Sequence, residues 1–154
     1  MTLLPRFLAC VLLLGGVLAF SGCTSTSSSS DQDSNRTLTT AANTNWVLAR
    51  WTSADGEKQT LLPPAPTLLI GYEGRISGQS GVNTYAGTAR IVGGQLDWGR
   101  NLGVTRMAGS LELMASEIRF LNDLQASQHV TIRGNHLFFT GKKSLRLEFV
   151  RAQP

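Results

Sequence analysis

The sequence predicts a mainly β fold with one helix: a bent antiparallel sheet or open barrel with a single amphipathic helix packed against it. Three observations predict this class: short aromatic and β-branched segments between glycine-containing turns, one segment of helical periodicity, and enough apolar residues for one core. The chain has 154 residues, of which 42% are hydrophobic and 16% are charged. This composition excludes a disordered acidic chain and a collagen-like repeat, so we expect one domain.

The first 22 residues predict a lipoprotein signal peptide that is not part of the fold. Arg6 is their only charged residue, and residues 7–20 are apolar, which is typical of a signal peptide and shorter than the roughly 20 residues of a membrane span. Residues 18–23 (Leu-Ala-Phe-Ser-Gly-Cys) resemble a bacterial lipobox. We therefore expect cleavage between Gly22 and Cys23, with acyl chains such as palmitate on Cys23 as the membrane anchor. The alternative is an ordinary secretory signal with an incidental cysteine.

Residues 23–44 are predicted to be a flexible linker. Twelve of the 22 residues from 24 to 45 are serine or threonine, and Leu38 is the only large apolar side chain among them. Such a segment buries too little apolar surface to offset the entropy of ordering. Thr24, and not aspartate, follows Cys23. By resemblance to the enterobacterial sorting rule, this favours a location in the bacterial cell envelope, on the outer membrane facing the periplasm.

The charge distribution argues against a nucleic-acid partner. Removal of Arg6 leaves 13 lysines and arginines against 10 acidic residues, a net charge of about +3. The basic residues are spread along the chain, and Lys142-Lys143 is the only adjacent pair. We expect no nucleic-acid binding and a weak attraction to anionic lipid head groups.

The domain is expected over residues 45–151 and begins with strands. Aromatic and β-branched residues predict strands over 46–52 and 67–72, on either side of the proline-rich connection 63–66. Four glycines between 71 and 81 mark turns around residues 75–77. Segments 88–92 and 95–98 flank Gly93-Gly94, which predicts a hairpin.

A helix is predicted over residues 110–125, because apolar residues recur there every three or four positions. These residues are Leu111, Met114, Ile118, Leu121 and Leu124. Ser110 is the expected N-cap, and Glu112 stands near the positive end of the helix dipole.

Three strands are predicted after the helix, over 130–132, 137–140 and 145–150, with turns at 134–135 and 141–143. In the last strand Leu147 and Phe149 alternate with Arg146 and Glu148. One face of this strand is therefore expected in the core and the other in water.

Two short motifs carry a family resemblance. Residues 81–87 (Gly-Val-Asn-Thr-Tyr-Ala-Gly) and 105–109 (Thr-Arg-Met-Ala-Gly) are similar, in order and spacing, to the motifs of the META domain family, which includes heat-inducible HslJ-like lipoproteins. The resemblance covers about residues 43–151. It implies an open barrel, a stress-protective or binding role and no established catalytic residue. The motif residues that carry over are Gly81, Asn83, Tyr85, Gly87, Thr105, Arg106 and Met107.

The chain departs from the family pattern at two positions. Val82 and Gly109 stand where the family motifs have cysteine. If those cysteines are disulfide partners in relatives, the loss of both leaves no unpaired thiol, and this domain is held together by packing alone.

The motif residues favour structural roles. Glycine at 81 and 87 allows tight backbone geometry, Asn83 can bond its own loop, and Tyr85 can bury its ring while its hydroxyl stays wet. Arg106 could pair with Glu117, which is the alternative we favour, or bind an anion.

The sequence carries no recognisable catalytic, metal or nucleotide motif. No histidine precedes Ser80 in the segment that superficially resembles a protease nucleophile loop. His129 and His136 lack neighbouring cysteines or a carboxylate cluster, and phosphate-binding glycine motifs are missing. We expect no enzyme activity, no cofactor and no metal.

The leading functional hypothesis is an envelope-anchored, non-catalytic binding or adaptor module, with an envelope protein as partner. An open barrel offers such a partner a sheet edge or a groove. The alternative is a lipocalin-like carrier of a lipid or small apolar ligand, which requires an internal cavity.

Overall fold

The structure, a computed structural model, describes residues 29–100 and 102–153. Within these residues the chain forms two α-helices and ten strands. Their bounds are α1 Ser29–Ala41, β1 Asn45–Thr52, β2 Thr67–Ile70, β3 Arg75–Gln79, β4 Thr84–Thr88, β5 Arg90–Val92, β6 Gln95–Asp97, β7 Gly103–Val104, α2 Leu111–Ala126, β8 Ser127–Arg133, β9 His136–Gly141 and β10 Arg146–Arg151.

Eight strands form one antiparallel sheet in the order β7-β4-β3-β2-β1-β10-β9-β8. The sheet curls into a half-barrel with α2 packed against it, which confirms the predicted fold class. The first and last strands meet in its middle, where β1 pairs with β10 from Trp46↔Arg151 to Thr52↔Arg146. β5 and β6 form a separate hairpin. Its turn is the predicted Gly93-Gly94, whose φ angles of +56° and +79° suit glycine.

The core lies between the concave face of the sheet and α2. Phe120 of α2 is fully buried, and its ring contacts Trp51, Tyr85 and Phe149 edge-on, with ring centroids 6.2, 6.0 and 6.4 Å away. These rings come from β1, β4 and β10. One helical side chain therefore joins strands from both ends of the sequence.

The predicted helix is present, but its buried face differs from the prediction. The side chain of Ser110 accepts a hydrogen bond from the Leu113 amide at 3.3 Å, which confirms the N-cap. Leu121 and Leu124 are buried as expected, whereas Leu111 and Ile118 are 87% and 59% exposed. Phe120 and Glu117 take the inward positions instead. The Glu117 carboxylate can be buried because a neighbouring loop supplies it with hydrogen-bond donors.

Helix α1 occupies a segment that was predicted to be a flexible linker. It packs against β8 and β5. Its residues Thr37 and Ala41 are buried, and Leu38 packs against the core. The carbonyl of Ala41 accepts a hydrogen bond from the Trp46 indole at 3.1 Å. The linker prediction was wrong over Ser29–Ala41, because tertiary contacts order a segment whose composition does not favour order.

Two further expectations about strands need correction. The predicted segment 88–92 is divided between β4 and β5, because the Ala89 amide donates to the carbonyl of Gly74 at 2.8 Å. In β10, Leu147 and Phe149 are buried as predicted, but Glu148 is buried as well, with 7% exposure.

The predicted signal peptide over 1–22, with its cleavage site at Gly22, and the lipidation site Cys23 lie outside the described residues. In the part of the chain that the structure describes, no helix has the length and apolar character to cross a bilayer.

Candidate functional site

The carboxylate of Glu117 is the centre of a buried polar cluster. Its Oε2 accepts hydrogen bonds from the amides of Asn83 and Val82 at 2.8 and 3.1 Å, and Ser80 Oγ lies 2.9 Å away. Its Oε1 accepts from Asn83 Nδ2 at 2.8 Å. Glu117 is only 6% exposed, and a buried carboxylate requires such donors. The cluster therefore fixes the β3–β4 loop on α2.

Asn83 extends this cluster to the segment between β7 and α2. Its Oδ1 accepts hydrogen bonds from the Met107 amide at 2.7 Å and from Thr105 Oγ1 at 2.9 Å. Thr105 Oγ1 in turn accepts from the Thr84 amide at 3.1 Å. One asparagine side chain thus connects both motif loops with Glu117 of α2.

Tyr85 and the two motif glycines lie beside this cluster. The Tyr85 ring is buried, and its hydroxyl donates to the carbonyl of Thr67 at 2.7 Å. Burial raises the pKa of Tyr85. Gly81 has a φ of +133°, in a region that favours glycine. A side chain at Gly87 would meet the side chain of Leu102, with a Cβ only 2.5 Å from its Cδ2.

Arg106 does not form the ion pair that we favoured from the sequence. Glu117 takes its hydrogen bonds from neutral donors, and Arg106 is exposed. The salt bridges among the described residues are Arg50–Glu148, Arg75–Glu73 and His136–Glu148. The anion-binding alternative for Arg106 stays a prediction.

Val82 and Gly109, which replace the family's motif cysteines, lie next to each other. A Cβ atom placed on Gly109 would stand 3.4 Å from the Cβ of Val82 and would collide with its methyl groups. The valine side chain thus occupies the space that a second side chain at position 109 would need.

The cluster arranges loops and leaves no free reactive group in it. Ser80 is 2% exposed, and its hydroxyl lies 2.9 Å from both Glu117 Oε2 and the carbonyl of Asn83. Sequence analysis named Glu117 as a partner for Arg106 and missed its central position. The signal was present, because Glu117 stands three and four residues before the apolar pair Phe120-Leu121 on the helix.

The edge strand of the sheet, β7, directly precedes the cluster residue Thr105 in the chain. Every residue from 103 to 112 is exposed. The Thr105 amide donates to the carbonyl of Thr84 at 3.0 Å, and Val104 is opposite Tyr85 in the register. Because bonding alternates along an antiparallel pair, the amide and carbonyl of Val104 point away from β4. Among the described strands none pairs with this side of β7.

Exposed apolar side chains are found on β7 and on several elements beside it or after it in the chain. Seven large apolar side chains are exposed in the described part of the chain. Two of them, Leu69 and Val104, line a groove on the outer face of the sheet beside β7. Three more, Met107, Leu111 and Ile118, follow β7 along the chain. We call these five the apolar strip: Leu69, Val104, Met107, Leu111 and Ile118. Val104 lies on β7 itself, Leu69 faces outwards on β2, and Leu111 and Ile118 are seven residues apart on α2, hence on one face of that helix.

A groove of about 780 Å³ runs from the edge across the outer face of β4, β3, β2 and β1. Cross-strand partners form its floor: Asn45, Leu69, Ser77, Ala86 and Gly103. These residues face outwards, because Leu68, Ile76 and Tyr85 between them are buried. No charged side chain lines the groove among the described residues.

The curled antiparallel sheet, the single helix on its concave face and the Asn–Glu cluster define a small half-barrel domain with both sequence motifs at one site. The chain belongs to the META domain family, whose family model matches residues 36–154. A comparison with curated protein sequences gives no significant match.

Solved structures share this fold. An NMR structure of a protein from Burkholderia xenovorans is 26% identical, has a TM-score of 0.65, and aligns over 77% of this chain and 88% of its own. A second NMR structure is 20% identical, with a TM-score of 0.54 and coverage of 74% and 93%. The crystal structure of a DUF4847 family protein from Bacteroides vulgatus is 13% identical, with a TM-score of 0.52 and coverage of 74% and 96%. The last two likenesses show the fold alone.

Proposed function

We propose that this protein is a lipid-anchored, non-catalytic binding module of the cell envelope, which holds an extended segment of a partner protein on the β7 edge. The observation that carries this proposal is the unpaired edge strand β7, with Val104 exposed on it and an uncharged groove beside it. Five of the seven exposed large apolar residues of the described chain belong to the apolar strip.

An extended peptide fits this surface for two reasons. The outward amide and carbonyl of Val104 offer a partner strand one donor and one acceptor. The neighbouring groove is uncharged and lined by hydroxyl and amide groups such as those of Thr67, Gln79 and Thr84. Such a surface suits alternating apolar and neutral polar side chains of a bound strand better than a charged ligand.

The alternative of a lipocalin-like carrier is not favoured by the interior. A carrier needs an internal cavity, whereas large aromatic side chains fill the concave side here. Trp98, Phe139 and Phe149 are buried there, and the Phe139 ring lies 5.7 and 5.8 Å from the Trp98 and Phe149 rings.

The anchor is part of the proposal. Cys23 stands six residues before the start of α1 at Ser29, so a lipid on Cys23 would hold the domain within about 20 Å of the bilayer surface. The resemblance to heat-inducible HslJ-like lipoproteins suggests envelope stress as the circumstance of binding.

Site-specific photo-crosslinking in cells tests the binding proposal. A photo-reactive amino acid replaces Met107 on the apolar strip or, as the matched control, the exposed Val92 of the β5–β6 hairpin. We expect one discrete protein adduct from position 107 and none from position 92. The V104P variant should abolish the adduct, because proline removes the outward amide without removing a bond to β4.

Two results would contradict the proposal. An adduct that survives V104P would exclude strand addition, and equal adducts from positions 107 and 92 would exclude a specific surface. The anchor is tested separately by incorporation of labelled palmitate, which Cys23→Ala should abolish. Labelled palmitate in that variant would contradict lipidation at Cys23.

A further inference from the structure

The outer face of the sheet is divided by β1 into two halves of different charge. On the outer face of β2, β3 and β4, as the structure describes them, Arg75 is the one charged residue, and it lies 3.3 Å from Glu73. On β1, β10, β9 and β8 the alternation of buried residues places five basic side chains outwards. They are Arg50, His129, Arg133, His136 and Arg146.

The basic half contains a single outward carboxylate, that of Glu148, and this carboxylate is already engaged. Its Oε2 lies 3.4 Å from Arg50 Nη1, and its Oε1 lies 2.9 Å from His136 Nδ1. The Glu148 side chain is only 9% exposed, whereas that of Arg50 is 80% exposed. Arg50 therefore still presents most of its guanidinium to an external anion, and three arginines against one glutamate leave this face positive.

An aromatic ring on the same face holds basic groups flat against the sheet. Phe138 points outwards, yet it is only 9% exposed. The guanidinium of Arg146 lies 4.4 Å above its ring centroid, and the ring of His136 is stacked with it at 6.1 Å. Stacking restricts the arginine side chain in advance, so less rotamer freedom is lost when it meets an anionic group.

The N-terminal segment lies along the border of this half. Helix α1 packs against β8, and Asp33 and Arg36 line one depression together with Thr131 and Arg133. The first turns of α1 therefore lie beside β8. A lipid on Cys23 would place a bilayer within about 20 Å of the start of α1.

From the charge of this face and its position next to the tether, we infer that the outer face of β1, β10, β9 and β8 binds the anionic phospholipid head groups of the membrane. This interaction is separate from peptide binding at the β7 edge. A sheet face with spaced guanidinium groups suits a bilayer surface, because each group can meet a different phosphate.

Vesicle flotation of the chain from Thr24 to Pro154 tests this inference without the lipid anchor. This chain retains every residue that the structure describes, and circular dichroism verifies its fold. We expect binding to vesicles of phosphatidylglycerol and phosphatidylcholine in equal parts, no binding to pure phosphatidylcholine vesicles, and loss of binding at high salt.

Two triple variants with the same change in net charge identify the face. R50Q/R133Q/R146Q should lower the partition coefficient roughly a hundredfold, since each basic residue near an anionic surface contributes about a fivefold effect. The matched control R75Q/R90Q/R100Q removes three exposed arginines outside the basic half. This control should change the partition coefficient by less than about fivefold. The charge-retaining R50K/R133K/R146K should bind nearly as the wild type does.

Equal losses in the two glutamine variants would overturn the inference, because net charge alone would then explain binding. Absence of wild-type binding to the phosphatidylglycerol vesicles would overturn it as well. The V104P variant should bind vesicles like the wild type, so a failure of this inference is distinguishable from a failure of the proposed peptide site.

Discussion

A disulfide introduced between positions 82 and 109 should form readily and stabilise the domain. The Cβ of Val82 and a Cβ on Gly109 would be 3.4 Å apart, close to the roughly 3.5–4.5 Å that disulfides require. The collision with the valine methyl groups disappears when both residues become cysteine. The perturbation is therefore the double variant V82C/G109C.

The size of the effect follows from the loop that the disulfide closes. Residues 82 and 109 bound a loop of 28 residues, for which loop-closure entropy predicts about 3.5 kcal/mol of stabilisation. Loss of the half-buried valine side chain costs about 1 kcal/mol. The net gain of about 2.5 kcal/mol corresponds to a rise in Tm of about 10 °C for a domain of this size.

The assay is thermal unfolding by circular dichroism, with and without reductant, together with titration of free thiols. The oxidised double variant should melt about 10 °C above the wild type and about 14 °C above its own reduced form, which lacks the valine side chain as well as the disulfide. V82S/G109S is the control for side-chain size, and it should not respond to reductant. The wild-type chain after Cys23 contains no cysteine and should melt at one temperature in both conditions.

Two outcomes would refute the reasoning. If both thiols of the folded double variant stay titratable after oxidation, the side chains at 82 and 109 do not face each other. If the disulfide forms but the Tm stays unchanged, the stabilisation does not come from closure of the 28-residue loop.

Two further predictions concern the carboxylates of Glu117 and Asp123. Glu117→Ala leaves the amides of Val82 and Asn83 and the side-chain amide of Asn83 without this acceptor and should lower the free energy of unfolding by about 3–5 kcal/mol. Glu117→Gln retains one acceptor oxygen and should lower the free energy of unfolding by less. Urea unfolding measures both variants. A decrease below about 1 kcal/mol for Glu117→Ala would contradict the central role of Glu117. Burial raises the pKa of Asp123, against the effect of its hydrogen bond from the Trp51 indole, and the nearby Asp55 adds to the rise. Because the folded state then binds the proton more readily than the unfolded state, Asp123 favours folding at low pH and loses this contribution as the pH rises. Asp123→Asn should therefore be at least as stable as the wild type at pH 7 and lose that advantage near pH 3, and an advantage that grows at low pH would refute the assignment.

Features with a local cause were predicted from the sequence. The Gly93-Gly94 hairpin, the Ser110 cap and the burial of Leu147 and Phe149 on one face of β10 depend on residues close to each other in the chain. Each of them was confirmed by the structure. Local rules sufficed because turns, caps and strand faces are determined within a few residues.

Features that depend on distant partners were not predicted. Helix α1 is ordered by contacts with β8, about 90 residues later in the chain. Glu148 was expected in water and is buried, because Arg50 and His136 approach it from neighbouring strands. For the candidate site, the family resemblance provided the motif residues. It could not provide the Glu117 centre or the apolar strip, since both require the three-dimensional arrangement.

The central pairing of β1 with β10 makes completion of the sheet depend on β10, the last of the described strands. β1 lies between β2, its neighbour in sequence, and β10, which ends at Arg151. During synthesis the two halves of the sheet cannot join until β10 has been made, although β1 and β2 are made much earlier. A nascent chain therefore cannot complete this sheet until all ten strands have been synthesised.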